Sequence, residues 1–149
     1  MNKIAFALAA ISVAANINTA AAQDEYPEVT AGQWETTTSV TMAPFLPQPQ
    51  VSTESSCIKE DETKFDPKEL LADGDCTVSN LSTTSTKVSF SMVCNIEGTQ
   101  VSGDGSFEVQ DGGNAMNGTM NLTGTVAELN LNLDMLIGVT AKRTGACSS

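Results

Sequence analysis

Between Cys57 and Cys76 the chain reads CIKEDETKFDPKELLADGDC, an interval crowded by Glu60, Asp61, Glu62, Asp66, Asp73 and Asp75. Carboxylates in such numbers could act as the acid and base of a glycoside hydrolase, or as oxygen ligands to calcium. A glycosidase needs two carboxylates facing each other across a sugar cleft. Here they share one short segment, and the chain holds one Trp and one Tyr to stack on sugar rings. Calcium asks for about six to eight oxygens converging from a tight turn. Asp73-Gly74-Asp75 is only a fragment of that loop pattern. The simplest reading is solvated charge on a connection between strands. A carboxylate-dependent hydrolase acting on an envelope substrate and a weak calcium-binding protein stand as the alternatives.

Composition excludes other reactive constellations. The chain has no histidine, which removes Ser-His-Asp and Cys-His nucleophiles and the zinc sites that use imidazole. The four cysteines, Cys57, Cys76, Cys94 and Cys147, contain no C-x-x-C pair, which argues against a four-thiolate zinc site. No catalytic residue, cofactor or metal ligand is assigned, and the chain is expected to be no enzyme.

The chain opens MNKIAFALAAISVAANINTAAA. Lys3, an apolar run from Ile4 to about Ala15, and the small residues Ala20, Ala21 and Ala22 make residues 1–22 a signal peptide. The run is too short for the roughly 20 residues that span a bilayer. Cleavage after Ala22 would leave 127 of the 149 residues, and losing Lys3 would leave six basic residues against 18 acidic ones, a formal charge of −12. Such a chain repels nucleic acid and anionic membrane surfaces. The expected location is the periplasm or the exterior, where an even number of cysteines forms disulfides. Three pairings are open. Cys57–Cys76 with Cys94–Cys147 is preferred, because the first would close the acidic segment locally. The rival is Cys76–Cys94, which a hairpin centred near Ser85 would place directly opposite each other.

Those residues must be positioned by strands. From Gly32 to Met42 the chain alternates, with Trp34, Val40 and Met42 on one face and Glu35, Thr37, Ser39 and Thr41 on the other, the pattern of a half-buried strand. Pro44, Pro47 and Pro49 then forbid a central strand, and a short polar strand ends at Cys57. Asp66-Pro67-Lys68-Glu69 starts a helix, running to about Ala72 with Phe65, Leu70 and Leu71 as apolar anchors, and Gly74 stops it. Val78 resumes the alternation, followed by Val88, Phe90, Met92, Cys94 and Ile96. Val101, Phe107 and Val109 share a face, and Gly103 and Gly105 suggest a bend or bulge. Asp111-Gly112-Gly113-Asn114 is a hairpin turn whose glycines supply positive φ. Met116, Met120, Leu122 and Val126 face inward next, then Leu129, Leu131, Leu133 and Met135, and Leu136 is expected to break the strand before Gly138. Five methionines, Met42, Met92, Met116, Met120 and Met135, fall on inward faces, where a thioether fills gaps or lines an adaptable apolar pocket. Asn80, Asn117 and Asn121 match the glycosylation acceptor pattern, which Thr-rich strands also produce by chance.

Gly32-x-Trp34-Glu35 near the start, the four cysteines in order and Arg143-x-Gly145-x-Cys147 at the end resemble the bacterial exported family catalogued as domain of unknown function 3617. The resemblance runs from about Gly32 to Cys147. It implies a small envelope or secreted β domain with no established activity. Ala141 departs from the glycine often found before the basic pair. The expectation is therefore an all-β protein: an antiparallel meander of about seven strands, open or closed as a small barrel, with one short helix between Cys57 and Cys76 and two disulfides. Residues 23–31 form an N-terminal extension, 32–147 a single domain and 148–149 a tail. The expected role is a non-enzymatic binding or structural module for an apolar ligand or an envelope partner.

Overall fold

The computed structural model describes residues 25–70 and 74–148. Its strands are β1 (Gly32–Ala43), β2 (Leu46–Ile58), β3 (Cys76–Thr83), β4 (Lys87–Ile96), β5 (Thr99–Gln110), β6 (Ala115–Val126) and β7 (Leu131–Gly145). They form one antiparallel sheet in the order β2-β1-β7-β6-β5-β4-β3. From β3 to β7 the chain meanders; β7 then pairs with β1, and β2 lies outside β1. Among the described residues β2 and β3 do not pair, so the sheet is open rather than a closed barrel.

Period-2 alternation sets the inner face. On β4, Val88, Phe90, Met92 and Cys94 are at most 4% exposed, while Lys87, Val93 and Asn95 between and beside them lie exposed. Val101 and Phe107 of β5, Leu122 of β6 and Leu133 of β7 complete this cluster, and Trp34, Val109, Ala141 and Val29 form a second. Burying these apolar side chains is the main favourable term holding such a sheet together.

Turn chemistry fixes the register. Glu97 and Gly98 connect β4 to β5 with φ of 49° and 84°, the left-handed pair that suits a two-residue hairpin. Asp111, Gly112 and Gly113 join β5 to β6 with φ of 51°, 61° and 94°, the positive values that turn was expected to need.

Gly103 and Gly105 make no bulge. The β4–β5 ladder runs without a shift from Lys87↔Glu108 to Ile96↔Thr99, and β5–β6 is equally regular. These glycines make room instead. A Cβ on Gly105 would stand 2.7 Å from Phe90 Cζ, and one on Gly118 would collide with the ring of Phe107, its cross-strand partner. Aromatic rings thus lie flat over bare backbone on adjacent strands.

Three other expectations are corrected. Leu136 does not break β7; it is an exposed outer-face residue between the half-buried Met135 and Ile137 of an unbroken strand. Leu129 does not face in. It sits 58% exposed in the β6–β7 turn, where its N–H donates to Val126 O and Asn130 takes a φ of 50°. The second strand starts at Leu46, ahead of Val51, and tolerates Pro47 and Pro49 because β2 is an edge strand.

The preferred disulfide pairing is also overturned. The bonds are Cys57–Cys147 and Cys76–Cys94. Cys57 is the last residue but one of β2 and Cys76 begins β3, the two opposite edges of the sheet, so local closure of the acidic segment is not available. Register decides both real bonds. Cys76 lies directly across from Cys94, the arrangement of the rival pairing. Cys57 and Gly145 both lie opposite Gln33 of β1, from its two sides, which brings Cys147 within 5.4 Å (Cα–Cα) of Cys57.

The connection from β2 to β3 carries the helix α1 (Pro67–Leu70) and covers part of the inner face. Phe65 packs on Phe107 with ring centroids 4.6 Å apart. Residues 25–31 join it: Val29 N donates to Thr63 O at 2.9 Å and Phe65 N to Pro27 O at 3.0 Å, and Pro27 and Pro67 are fully buried. Residues 1–22, Leu71, Asp73 and the side chain of Leu70 lie outside the described part.

Candidate functional site

Among the described residues, the acids between Cys57 and Cys76 do not converge. Asp66 Oδ1 accepts the N–H of Lys68 at 2.9 Å and so caps α1. Glu62 Oε2 accepts the N–H of Lys59 at 3.3 Å. Asp75 contributes its backbone carbonyl to Asn95 N at 2.8 Å. Among the described residues no group of three or more Asp, Glu or Cys side chains is arranged to hold a metal ion. Local chain geometry uses this charge, as a solvated connection would.

The two terminal motifs meet. Trp34 is 1% exposed, and its Nε1–H donates to Thr30 O at 2.9 Å. Its ladder partner on β7 is Arg143, whose Nε–H reaches across the chain ends to Ala31 O at 2.8 Å. Gly32, at φ 147°, leaves space that a Cβ would take from Gly145 O and Arg143 Nε. Cys147 then ties the same corner to β2. These residues close the fold rather than present a reactive group. Ala141 lies mid-strand, 7% exposed in the Trp34 cluster, so no turn depends on it.

A groove opens at the opposite end of the strands, where the β1–β2, β4–β5 and β6–β7 hairpins gather. Its volume is about 580 Å3, and its walls include Met42, Phe45, Ile96, Val126, Leu133 and Met135 over the buried Val101. Register places Met42 directly opposite Met135, which sets two flexible thioethers side by side on one wall. Phe45 and Ile96 are 48% and 44% exposed, apolar surface whose contact with water is unfavourable. Glu97 and Glu128, both in hairpin turns, stand on the lip. The other methionines go elsewhere: Met92 is 3% exposed inside the main cluster, and Met116 and Met120 pack against it.

Alternation found most of this wall, since Met42, Ile96, Val126, Leu133 and Met135 were all expected to face in. Phe45 was missed because it sits between prolines, where no period exists. An apolar Phe-Leu pair in a proline-rich turn was the available signal. A second groove of about 410 Å3, on the outer face, is lined mostly by residues with polar side chains, such as Thr37, Ser39, Glu108, Asn117 and Thr140. Asn80, Asn117 and Asn121 are exposed, on β3 and β6.

An open single-sheet β domain, pinned at one corner by Cys57–Cys147 and along one hairpin by Cys76–Cys94, is the class these elements define. The chain belongs to the family described as "Protein of unknown function (DUF3617)", whose model matches residues 29–147. That span runs from the buried Val29 to the disulfide-bonded Cys147. No curated protein matches the chain. Among solved structures, the sensor domain of PknI from M. tuberculosis, in its monomer form, is 13% identical. The match covers 81% of this chain and 91% of that one, with a TM-score of 0.29, a likeness too slight to carry an argument.

Proposed function

We propose that this protein is an exported, non-enzymatic binding module that holds a small apolar ligand in the groove at the hairpin end of its sheet. The observation that carries the reading is the groove itself: about 580 Å3, within the range of small-molecule sites, with apolar walls and few polar groups. The paired Met42 and Met135 supply an adaptable surface of the kind used for ligands of variable shape. Export rests on the leader pattern of residues 1–22 and on two disulfides, bonds that persist in oxidising compartments.

Native mass spectrometry of the freshly exported protein tests this. A bound apolar molecule is expected, lost in Phe45→Ser/Ile96→Ser, two partly exposed wall positions whose change leaves the core packing in place. Bare polypeptide from every preparation, together with no uptake of 1-dodecanol by the delipidated protein, would refute it.

A further inference from the structure

We infer that the groove selects an amphiphile with a cationic head, an inference that rests on the binding reading above and adds the charge of the ligand. Glu97 and Glu128 stand at the lip from two different hairpins, over walls whose other side chains are apolar except for Thr99, and no Lys or Arg lines the groove. The charged side chains of the groove lining are both acidic. Asp134 faces Ala43 in the ladder, and the backbone of Asp75 bonds to Asn95. The basic residues Lys87, Lys142 and Arg143 belong to the other ends of their strands, and Lys59, Lys64 and Lys68 lie in the β2–β3 connection, outside the groove lining. An apolar chain would lie against Met42, Leu133 and Met135, and its head would emerge between two carboxylates. An anionic head would meet the same carboxylates with no counter-charge. Both acids are exposed, so water screens them, and two such pairs together give about a fivefold preference at low salt.

The test compares three probes of one chain length on the disulfide-intact protein by calorimetric titration below their micelle concentrations: dodecyltrimethylammonium, dodecanoate and 1-dodecanol. The cation is expected to bind about fivefold more tightly than the alcohol and the anion more weakly, with the spread collapsing toward one at 0.5 M salt as screening shortens to a few ångströms. Glu97→Gln/Glu128→Gln is expected to erase the spread while 1-dodecanol still binds. Equal binding of the three probes to the unchanged protein overturns the charge inference and leaves the apolar groove standing. A preference that survives in the double variant also overturns it, by assigning the effect to the chain's overall charge of −11. Binding of none of the three removes both readings.

Discussion

Replacing Gly118 with Ala adds one methyl group to the centre of the sheet, and the structure says where it goes. Gly118 lies opposite Phe107, and the new Cβ would collide with that ring. The ring cannot simply tilt away, because Phe65 covers it with centroids 4.6 Å apart and Phe90 stacks nearby at 6.2 Å. Overpacking of this kind costs about 1–3 kcal/mol. Against it, alanine stiffens the unfolded backbone, which favours the folded state by about 0.5–1 kcal/mol. The net expectation is a loss of about 1–2 kcal/mol. Phe107→Leu also destabilises, by less than the roughly 3–5 kcal/mol of a Phe→Ala truncation, but it removes the ring that the methyl strikes. In that background Gly118→Ala should be neutral or stabilising, giving a coupling of about 1–3 kcal/mol between the two sites. Urea unfolding of the four proteins, compared at constant m, reads this directly. Additive losses within about 0.5 kcal/mol would refute the account of glycine as space for the ring.

Other perturbations follow from the same geometry. Cys57→Ala/Cys147→Ala opens a loop of 90 residues and should lower unfolding free energy by about 4–5 kcal/mol, with a larger m in urea as the unfolded chain expands; an unchanged midpoint would contradict it. Arg143→Lys removes the Nε–H that reaches Ala31 and should cost about 1 kcal/mol, with faster hydrogen exchange confined to the β1–β7 corner. Thr63→Val removes the buried hydroxyl that donates to the exposed Glu28 carboxylate at 2.8 Å, a partly buried hydrogen bond. Because water can take the donor's place at Glu28, it should cost about 0.5–1 kcal/mol, read as a drop in melting temperature of a few degrees.

How much of this was legible in the residues depends on the range of the interaction that fixed each feature. Val88, Phe90, Met92 and Cys94 announce their strand because alternation is local. Asp111 to Asn114 announce their turn because positive φ has few suppliers. The Cys57–Cys147 bond could not be read that way. It exists because β7 returns beside β1, a pairing that no short window of sequence contains. Gly103, Gly105 and Gly118 show a different limit: glycine in a strand signals either a bulge or a close approach, and only the neighbouring strand decides which, by the Asn121 backbone at Gly103 and by the Phe90 and Phe107 rings at Gly105 and Gly118. Likewise, the acids between Cys57 and Cys76 drew attention by composition, while the groove at the other end of β1 drew little, because Phe45 lies in a proline-rich turn and its neighbours come from three separate hairpins.

The pairing of β1 with β7 also sets an order in time. Each strand from β4 to β7 can zip onto its predecessor as soon as it is made, since those contacts are close in sequence and their loops are cheap to close. The hairpin of β1 and β2 has no such neighbour. It is synthesised first, yet its place in the sheet appears only when Arg143 can reach Ala31, 112 residues away. During that interval the Trp34 face lacks its β7 partner and is a candidate for chaperone binding or wrong pairing. The last strand made is therefore the one that admits the first, and removing the chain from Asp134 onward, every β7 residue paired with β1, should leave a meander with the opening hairpin detached, rather than a slightly shorter version of the same domain.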